Sequence, residues 1–385
     1  MKYYIKIIFF CSILFLLPIL TLVKEPATIS YYENRSLAVF PTLSRQELFD
    51  GDYFAKVETY INDHLAGRNA LLMINTLKDL ALRTPVVNDT VIARDILLPY
   101  HNTVLDHYNA EDMAQELDML QALNNYCIEK GIKFLYVGIP EQSSAFRDLY
   151  PSYLNDSSYR DNSMSKDFMD SIEALGIDHL WMQTYLSANY EQYYSKTDHH
   201  YNLYGAYETY LRVMNYINDN YFFAPITDDL EITSLSTSFL GSRNRKLFGL
   251  FTTNDQLYTG TLKHPISFTR TDNGKAVDPT VYDENLNNVY SYYMGGDIAE
   301  TIIRTNRPEL PDVLVLGDSF TNALETILYT SFDEMRSLDF RYYTDKSINE
   351  YLESYHPDVI LYVRDDLSYI ITTGNGCLNF DTKHT

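Results

Sequence analysis

Cysteine is nearly absent: three residues in 385. That is too few for a disulfide scaffold or a four-thiolate zinc site. Cys11 falls in an apolar run, which leaves Cys127 and Cys377 as one pair, and two unpaired thiols is the simpler reading. Basic residues are also scarce, 30 Lys+Arg against 52 Asp+Glu, for a formal charge of −22. A surface of that sign repels phosphate backbones and no Lys/Arg run offsets it, so nucleic-acid binding is excluded as a function. There is no Gly-rich nucleotide loop, no HExxH, no G-x-S-x-G, no internal repeat and no low-complexity stretch. With 45% hydrophobic and 21% charged residues, whole-chain disorder is excluded too. The length suits one large α/β domain or two ordinary ones. What the chain has in excess is tyrosine, 35 residues. Such amphipathic rings could line a sugar-binding surface; compositional bias that fills half-buried positions is the simpler account.

An uncharged run, Ile7 to Val23, follows Lys2 and Lys6. Its length falls between a signal-peptide core and a full membrane span. The preceding lysines orient the rest of the chain out of the cytoplasm. Lys24, Glu25 and Pro26 stand where a small-x-small cleavage site would lie. An uncleaved signal anchor over residues 1–29 is therefore expected ahead of a cleaved signal. The working domain is exported either way, to the cell surface or periplasm, and with the signal uncleaved it stays on a single-pass anchor.

Residues 30–90 read as an extended lead-in followed by helices, with Phe54, Val57, Tyr60, Ile61, His64 and Leu65 on one face. The stretch VNDTVIARDILLPY reads as a hairpin. From about Ala110 helices alternate with apolar strands. AEDMAQELDMLQALNNYCIEK is a helix stopped by Gly131, and IKFLYVGIP a buried strand. A helix is expected over about Ser165–Leu175, and another over YNLYGAYETYLRVMNYI. PDVLVLGDSF, RSLDFRYY and PDVILYVRDDL supply further strands. This alternation predicts a mostly parallel sheet covered on both faces, spanning 91–385. Residues about 222–294 read as a β-rich insertion with no evident chemistry.

Two constellations carry chemistry. Gly317-Asp318-Ser319-Phe320 follows the strand VLVL and opens a helix. Functional residues of open α/β sheets sit at the carboxyl ends of strands, and a helix N-terminus there can stabilise an oxyanion. The tripeptide is weak alone, and an N-cap serine explains it equally well. Thr197-Asp198-His199-His200-Tyr201-Asn202 precedes the next helix pattern. A nucleophilic Ser needs a His base whose other nitrogen is held by a carboxylate, and Asp198-x-His200 offers both from one turn. A polar helix cap is the bland alternative. Two His beside an Asp also suggest a metal, but no third ligand stands at helical spacing, so none is expected.

In this order the motifs resemble the DHHW family, related to the AlgX/AlgJ-type SGNH hydrolase-like proteins of polysaccharide O-acetylation. The name motif stands here as Asp198-His199-His200-Tyr201. Glu33-Asn34-Arg35-Ser36-Leu37-Ala38 with Phe40-Pro41 resembles the family's opening. Gly51-Asp52-Tyr53-Phe54, Asn62-Asp63-His64, Arg68, Gly295-Gly296-Asp297 and Pro357-Asp358-Val359-Ile360 continue it. Two departures stand out: Tyr201 replaces the family Trp, and Ile139-Pro140-Glu141-Gln142 lacks a Lys often found after that Pro.

The resemblance implies a flavodoxin-like, SGNH-like three-layer α/β/α domain in which Asp-x-His precedes GDS. It implies Ser319 as nucleophile, His200 as base and Asp198 as its carboxylate, with acetyl transfer through an acyl-serine and no cofactor. His199, Tyr201 and Asp318 are supporting residues. His199 is expected to point away from its neighbour, as a packing or sugar-contacting residue, and Asp318 to satisfy turn N–H groups. The implied acceptor is a cell-envelope or secreted glycan, acted on by transfer or by esterase hydrolysis, with a membrane-bound O-acyltransferase as the implied acetyl supplier. The competing readings are a non-catalytic glycan-binding module and a structural component of an acetylation or export complex.

Overall fold

The computed structural model describes residues 2–33, 35–100, 109–154, 158–235, 237–372, 376–378 and 380. Asn34 of the lead-in motif lies outside them. The chain divides into two units, Met1–Asn88 with Ser242–Thr252, and Asp89–Gly241 with Thr253–Thr385.

In the first unit an apolar helix runs over Tyr3–Val23, with a π turn at Ser12–Leu16, long enough to cross a bilayer. Helices Arg45–Asp50, Asp52–His64 and Arg68–Ala81 follow. The motif residues of the lead-in form one charged clamp. Arg68 bonds Glu33 through both terminal nitrogens, at 2.8 and 2.9 Å, and Arg35 does the same to Asp63. Asp63 also accepts from the Ala38 N–H at 2.8 Å, and the Arg35 bonds hold its carboxyl down at about 2. These residues therefore fold the lead-in onto the helices. Ser242–Thr252, expected within the insertion, packs here instead: Phe248 meets Tyr32 at 4.6 Å, and Asn88 Nδ2 donates to the Lys246 carbonyl at 2.7 Å.

The second unit is built on an eight-stranded sheet. In chain order its strands are β1 (Lys133–Ile139), β2 (His179–Trp181), β3 (Thr269–Asp272), β4 (Lys275–Val277), β5 (Glu300–Arg304), β6 (Val313–Gly317), β7 (Glu334–Asp339) and β8 (Val359–Asp365). Their spatial order is β4-β3-β5-β7-β6-β8-β1-β2. The run from β7 to β2 is parallel, and β5, β3 and β4 add antiparallel strands at the β7 edge. The apolar runs of β6 and β8 are buried throughout, as strands covered on both faces require.

On one face, Phe134, Tyr136, Leu314, Leu316, Ile360 and Tyr362 form a core with helices α1 (Ala110–Lys130), α2 (Ser158–Ala174) and α5 (Ile348–Ser354). Helices α3 (Leu203–Asn220) and α4 (Phe320–Leu328) pack on each other outside that cluster. This is the layered, mostly parallel α/β architecture expected. The alternating stretch before α1 forms the hairpin Thr90–Ala93 with Ile96–Pro99. The expected insertion is partly built into the sheet, because β3 and β4 come from it. Tyrosines are among the largest fully buried side chains, and two of them spend their hydroxyls on the backbone: Tyr201 OH donates to the Phe320 carbonyl and Tyr293 OH to that of Tyr258. Cys127 and Cys377 are buried and form no disulfide, and burial pushes Cys127 up to about 12.

Candidate active site

Ser319 sits where β6 gives way to α4. Gly317 allows that turn to pack closely, since a Cβ there would lie 2.6 Å from both the Val363 carbonyl oxygen and Thr321 Cγ2. The helix is capped by Asp318, whose Oδ1 accepts from the Phe320 N–H at 2.9 Å, and not by Ser319. Asp318 Oδ2 lies 3.7 Å from Nη1 of buried Arg364. The Ser319 hydroxyl is thus left for another partner.

That partner comes from the loop before α3. Tyr194 and Tyr201 form an isolated antiparallel bridge, and the Ser195 N–H donates to the His200 carbonyl, closing a tight loop over residues 195–200. Helix α3 is capped by Asn202, which accepts from the N–H groups of Tyr204 and Gly205. The Asp-His pair is therefore not spent on capping. Asp198 Oδ1 accepts from the His200 N–H at 3.3 Å and lies 2.6 Å from His200 Nδ1. His200 Nε2 lies 2.8 Å from Ser319 Oγ. Asp198, His200 and Ser319 are all buried. With Nδ1–H donated to Asp198, Nε2 is free to accept the serine proton.

The supporting residues differ in role. Tyr201 OH donates to the Phe320 carbonyl, tying the histidine loop to the start of α4 through a hydroxyl that a Trp would lack. His199 does not point away: its ring lies 3.7 Å from that of His200, and its Nδ1 is 3.4 Å from Asp198 Oδ1. The turn is tight enough to turn both rings toward one carboxylate. Glu141 and Gln142 act locally. The Glu141 N–H donates to Asp366 Oδ1 at 2.8 Å, and Gln142 Nε2 donates to the Ser195 carbonyl at 2.7 Å. Burial pushes the Asp366 carboxyl up to about 7.

Two further residues come from the stretch in which the sequence shows no chemistry. Tyr290 lies flat on the His200 ring, and its hydroxyl donates to the Ser319 carbonyl at 3.1 Å. Asp255 accepts from the Thr197 N–H at 2.8 Å and from its hydroxyl at 2.6 Å, pinning the residue before Asp198. Burial raises the Asp255 carboxyl above its ordinary value. No periodic pattern marks either residue in the sequence.

Asp198, His199 and His200 place three ligand-type atoms within 4.8 Å of one another. Both ring nitrogens of His200 already face hydrogen-bonding partners, so a metal there would have to displace Asp198 or Ser319. The donor set fits a proton relay better than a metal centre.

The family model for an SGNH hydrolase-like domain, acetyltransferase AlgX, matches residues 97–256, which include the Asp198 loop and stop short of Ser319. Over those residues the chain is similar to an AlgX-type SGNH domain. PatB1 of Bacillus cereus is similar in fold, with a TM-score of 0.63 and 23% identity, covering 73% of this chain and 97% of that one. PatB1 with a sulfonyl adduct gives 0.61 and 21%, with the same coverage. A DHHW family protein from Eubacterium siraeum DSM 15702 gives 0.54 and 20%, covering 74% of this chain and 96% of that one. No curated protein matches the sequence. At these identities the structural likeness is one of fold.

Proposed function

We propose that this protein is an acetyltransferase or acetylesterase of a cell-envelope or secreted polysaccharide, working through an acyl-serine. The observation that carries the reading is the hydrogen-bonded chain Asp198–His200–Ser319, at 2.6 and 2.8 Å. The AlgX-type acetyltransferase domain supports the same chemistry. Ser319 Oγ attacks the carbonyl carbon of an acetyl ester as its proton passes to His200 Nε2. The Ser319 N–H, at the start of α4, is the donor assigned to the oxyanion. Collapse expels the leaving oxygen, which takes the proton from His200 and leaves acetyl-Ser319. A sugar hydroxyl, or water, then gives its proton to His200, attacks the acyl carbonyl and frees the serine. Asp198 holds the tautomer and stabilises the imidazolium.

In this reading the helix Tyr3–Val23 anchors the protein in the membrane, with the α/β unit outside the cytoplasm. A membrane-bound O-acyltransferase would supply the acetyl groups.

The test is hydrolysis of a chromogenic acetyl ester by the full chain in detergent. Ser319→Ala and His200→Ala should each reduce turnover about 10³-fold or more, and the double variant little further, because such groups act as a unit. Near-normal activity in Ser319→Ala would overturn the reading in favour of a non-catalytic glycan-binding module.

A further inference from the structure

Helix Arg68–Ala81 is inside out. Its one buried residue is Thr76, whose hydroxyl donates to the Leu72 carbonyl and accepts from Asn88 Nδ2. Along an adjoining face Ala70, Met73, Ile74, Leu77 and Ala81 recur at i, i+3, i+4, i+7 and i+11, and all are exposed. Ile74 is 61% and Leu77 55% exposed, and Leu71 beside them 54%. A surface helix ordinarily turns such a stripe to the core, and a contiguous apolar strip left outside marks an interaction surface.

The position of the helix indicates what covers the strip. The Ala66 N–H, in the turn that opens it, donates to Thr21 Oγ1 at 3.0 Å. Thr21 stands two residues before the end of the apolar helix at Val23, where Lys24 and Glu25 restore charge. If that helix spans the bilayer, the inverted helix begins at the depth where hydrocarbon meets headgroups. Lys78 borders the stripe with a side chain 57% exposed, suited to reaching past lipid into water.

We propose that Arg68–Ala81 lies along the outer membrane–water boundary with Ala70, Met73, Ile74, Leu77 and Ala81 in lipid, a second membrane contact beside the anchor. The inference rests on the reading of Tyr3–Val23 as a membrane anchor. Because the helix has no basic face, the contact is apolar, and high salt should leave it unchanged.

The experiment reconstitutes the full chain in phosphatidylcholine vesicles with brominated acyl chains and reads tryptophan quenching. The protein's own Trp181 supplies the background. Ile74→Trp and Leu77→Trp report the stripe, Phe15→Trp the anchor, and Phe223→Trp, at a position 78% exposed, a residue in water. Quenching of the stripe probes to about half that of Phe15→Trp, with Phe223→Trp at background, is the expected result. Stripe probes at background beside a quenched anchor overturn the proposal while the anchor reading survives. Acrylamide then tells a bare stripe from one covered by protein. An unquenched Phe15→Trp overturns the anchor reading itself, and the proposal with it.

Discussion

Tyr290 and His200 lie face to face, with ring centroids 3.6 Å apart and planes 3° from parallel. The tyrosine also bonds the Ser319 carbonyl, so one side chain touches both the His200 ring and the backbone of Ser319. Tyr290→Phe keeps the stack and should hold kcat within about 3-fold. Tyr290→Leu removes it and should lower kcat about 10-fold at unchanged KM, the scale of one aromatic contact. Tyr293→Leu is the control, since Tyr293 is also buried and packs on Tyr290 but bonds the Tyr258 carbonyl. Equal losses in the two Leu variants would reduce Tyr290 to core packing.

Gly241 lies against the peptide that leads into Asp198. A Cβ at this position would be 2.3 Å from the Thr197 carbonyl carbon and oxygen and 2.6 Å from the Asp198 nitrogen. Backbone atoms cannot swing aside as a side chain can, so Gly241→Ala should push the loop and Asp198 with it. Displacements of about 1 Å cost on the order of 10²-fold in rate. Ester hydrolysis should fall by that order with the far-ultraviolet circular dichroism unchanged. Full activity in Gly241→Ala would show that the loop has slack.

The central strands were legible in the sequence because VLVL and VILYV are apolar without interruption, as strands buried on both faces must be. The hydrogen-bonded chain was half legible. Asp-x-His carries its own local logic, but its serine partner lies 119 residues away. The placement of Gly317-Asp318-Ser319 at a strand's end, and the order of motifs shared with the DHHW family, pointed to it. Tyr290 and Asp255 were hidden for a different reason. They lie in short pieces whose conformation is set by tertiary pairing, as the exposed residues of β4 illustrate, so no period of two or 3.6 marks them. The charged lead-in motif was visible, but its role as a clamp between Glu33, Arg35, Asp63 and Arg68 needed the fold.

Asp198 and Asp318 each neighbour a residue of the proposed Ser319–His200 pair yet should respond differently to amidation. Asn at 198 cannot hold the Nδ1–H tautomer of His200, and such changes cost about 10³–10⁴-fold in turnover. Asn at 318 can still accept from the Phe320 N–H, so turnover should stay within about 10-fold. The loss there is the carboxylate facing buried Arg364, a destabilisation of roughly 3 kcal/mol. Ester hydrolysis and thermal unfolding on both variants separate the roles, and a collapse of activity with intact stability in Asp318→Asn would reverse them.

Glu116 sets a pH dependence of stability away from the site. Its carboxyl is buried in α1, with one oxygen 3.4 Å from the Tyr362 hydroxyl and the other without a hydrogen-bond partner among the described residues. Burial outweighs the pull of Arg364 and pushes the group up from 4.5 to about 8. Between those values the folded protein holds a proton that the unfolded chain has released. Stability therefore falls as pH rises from about 4.5 to about 8, and the penalty is absent below that window. Glutamine mimics the protonated form without the titration. Glu116→Gln should raise unfolding stability by roughly 1–3 kcal/mol at pH 8 and change it little at pH 4.5, with ester hydrolysis unaffected. Thermal denaturation of both proteins across that range is the measurement. A variant less stable at pH 8 would mean that Glu116 is ionised against Arg364, and that the ion pair outweighs burial.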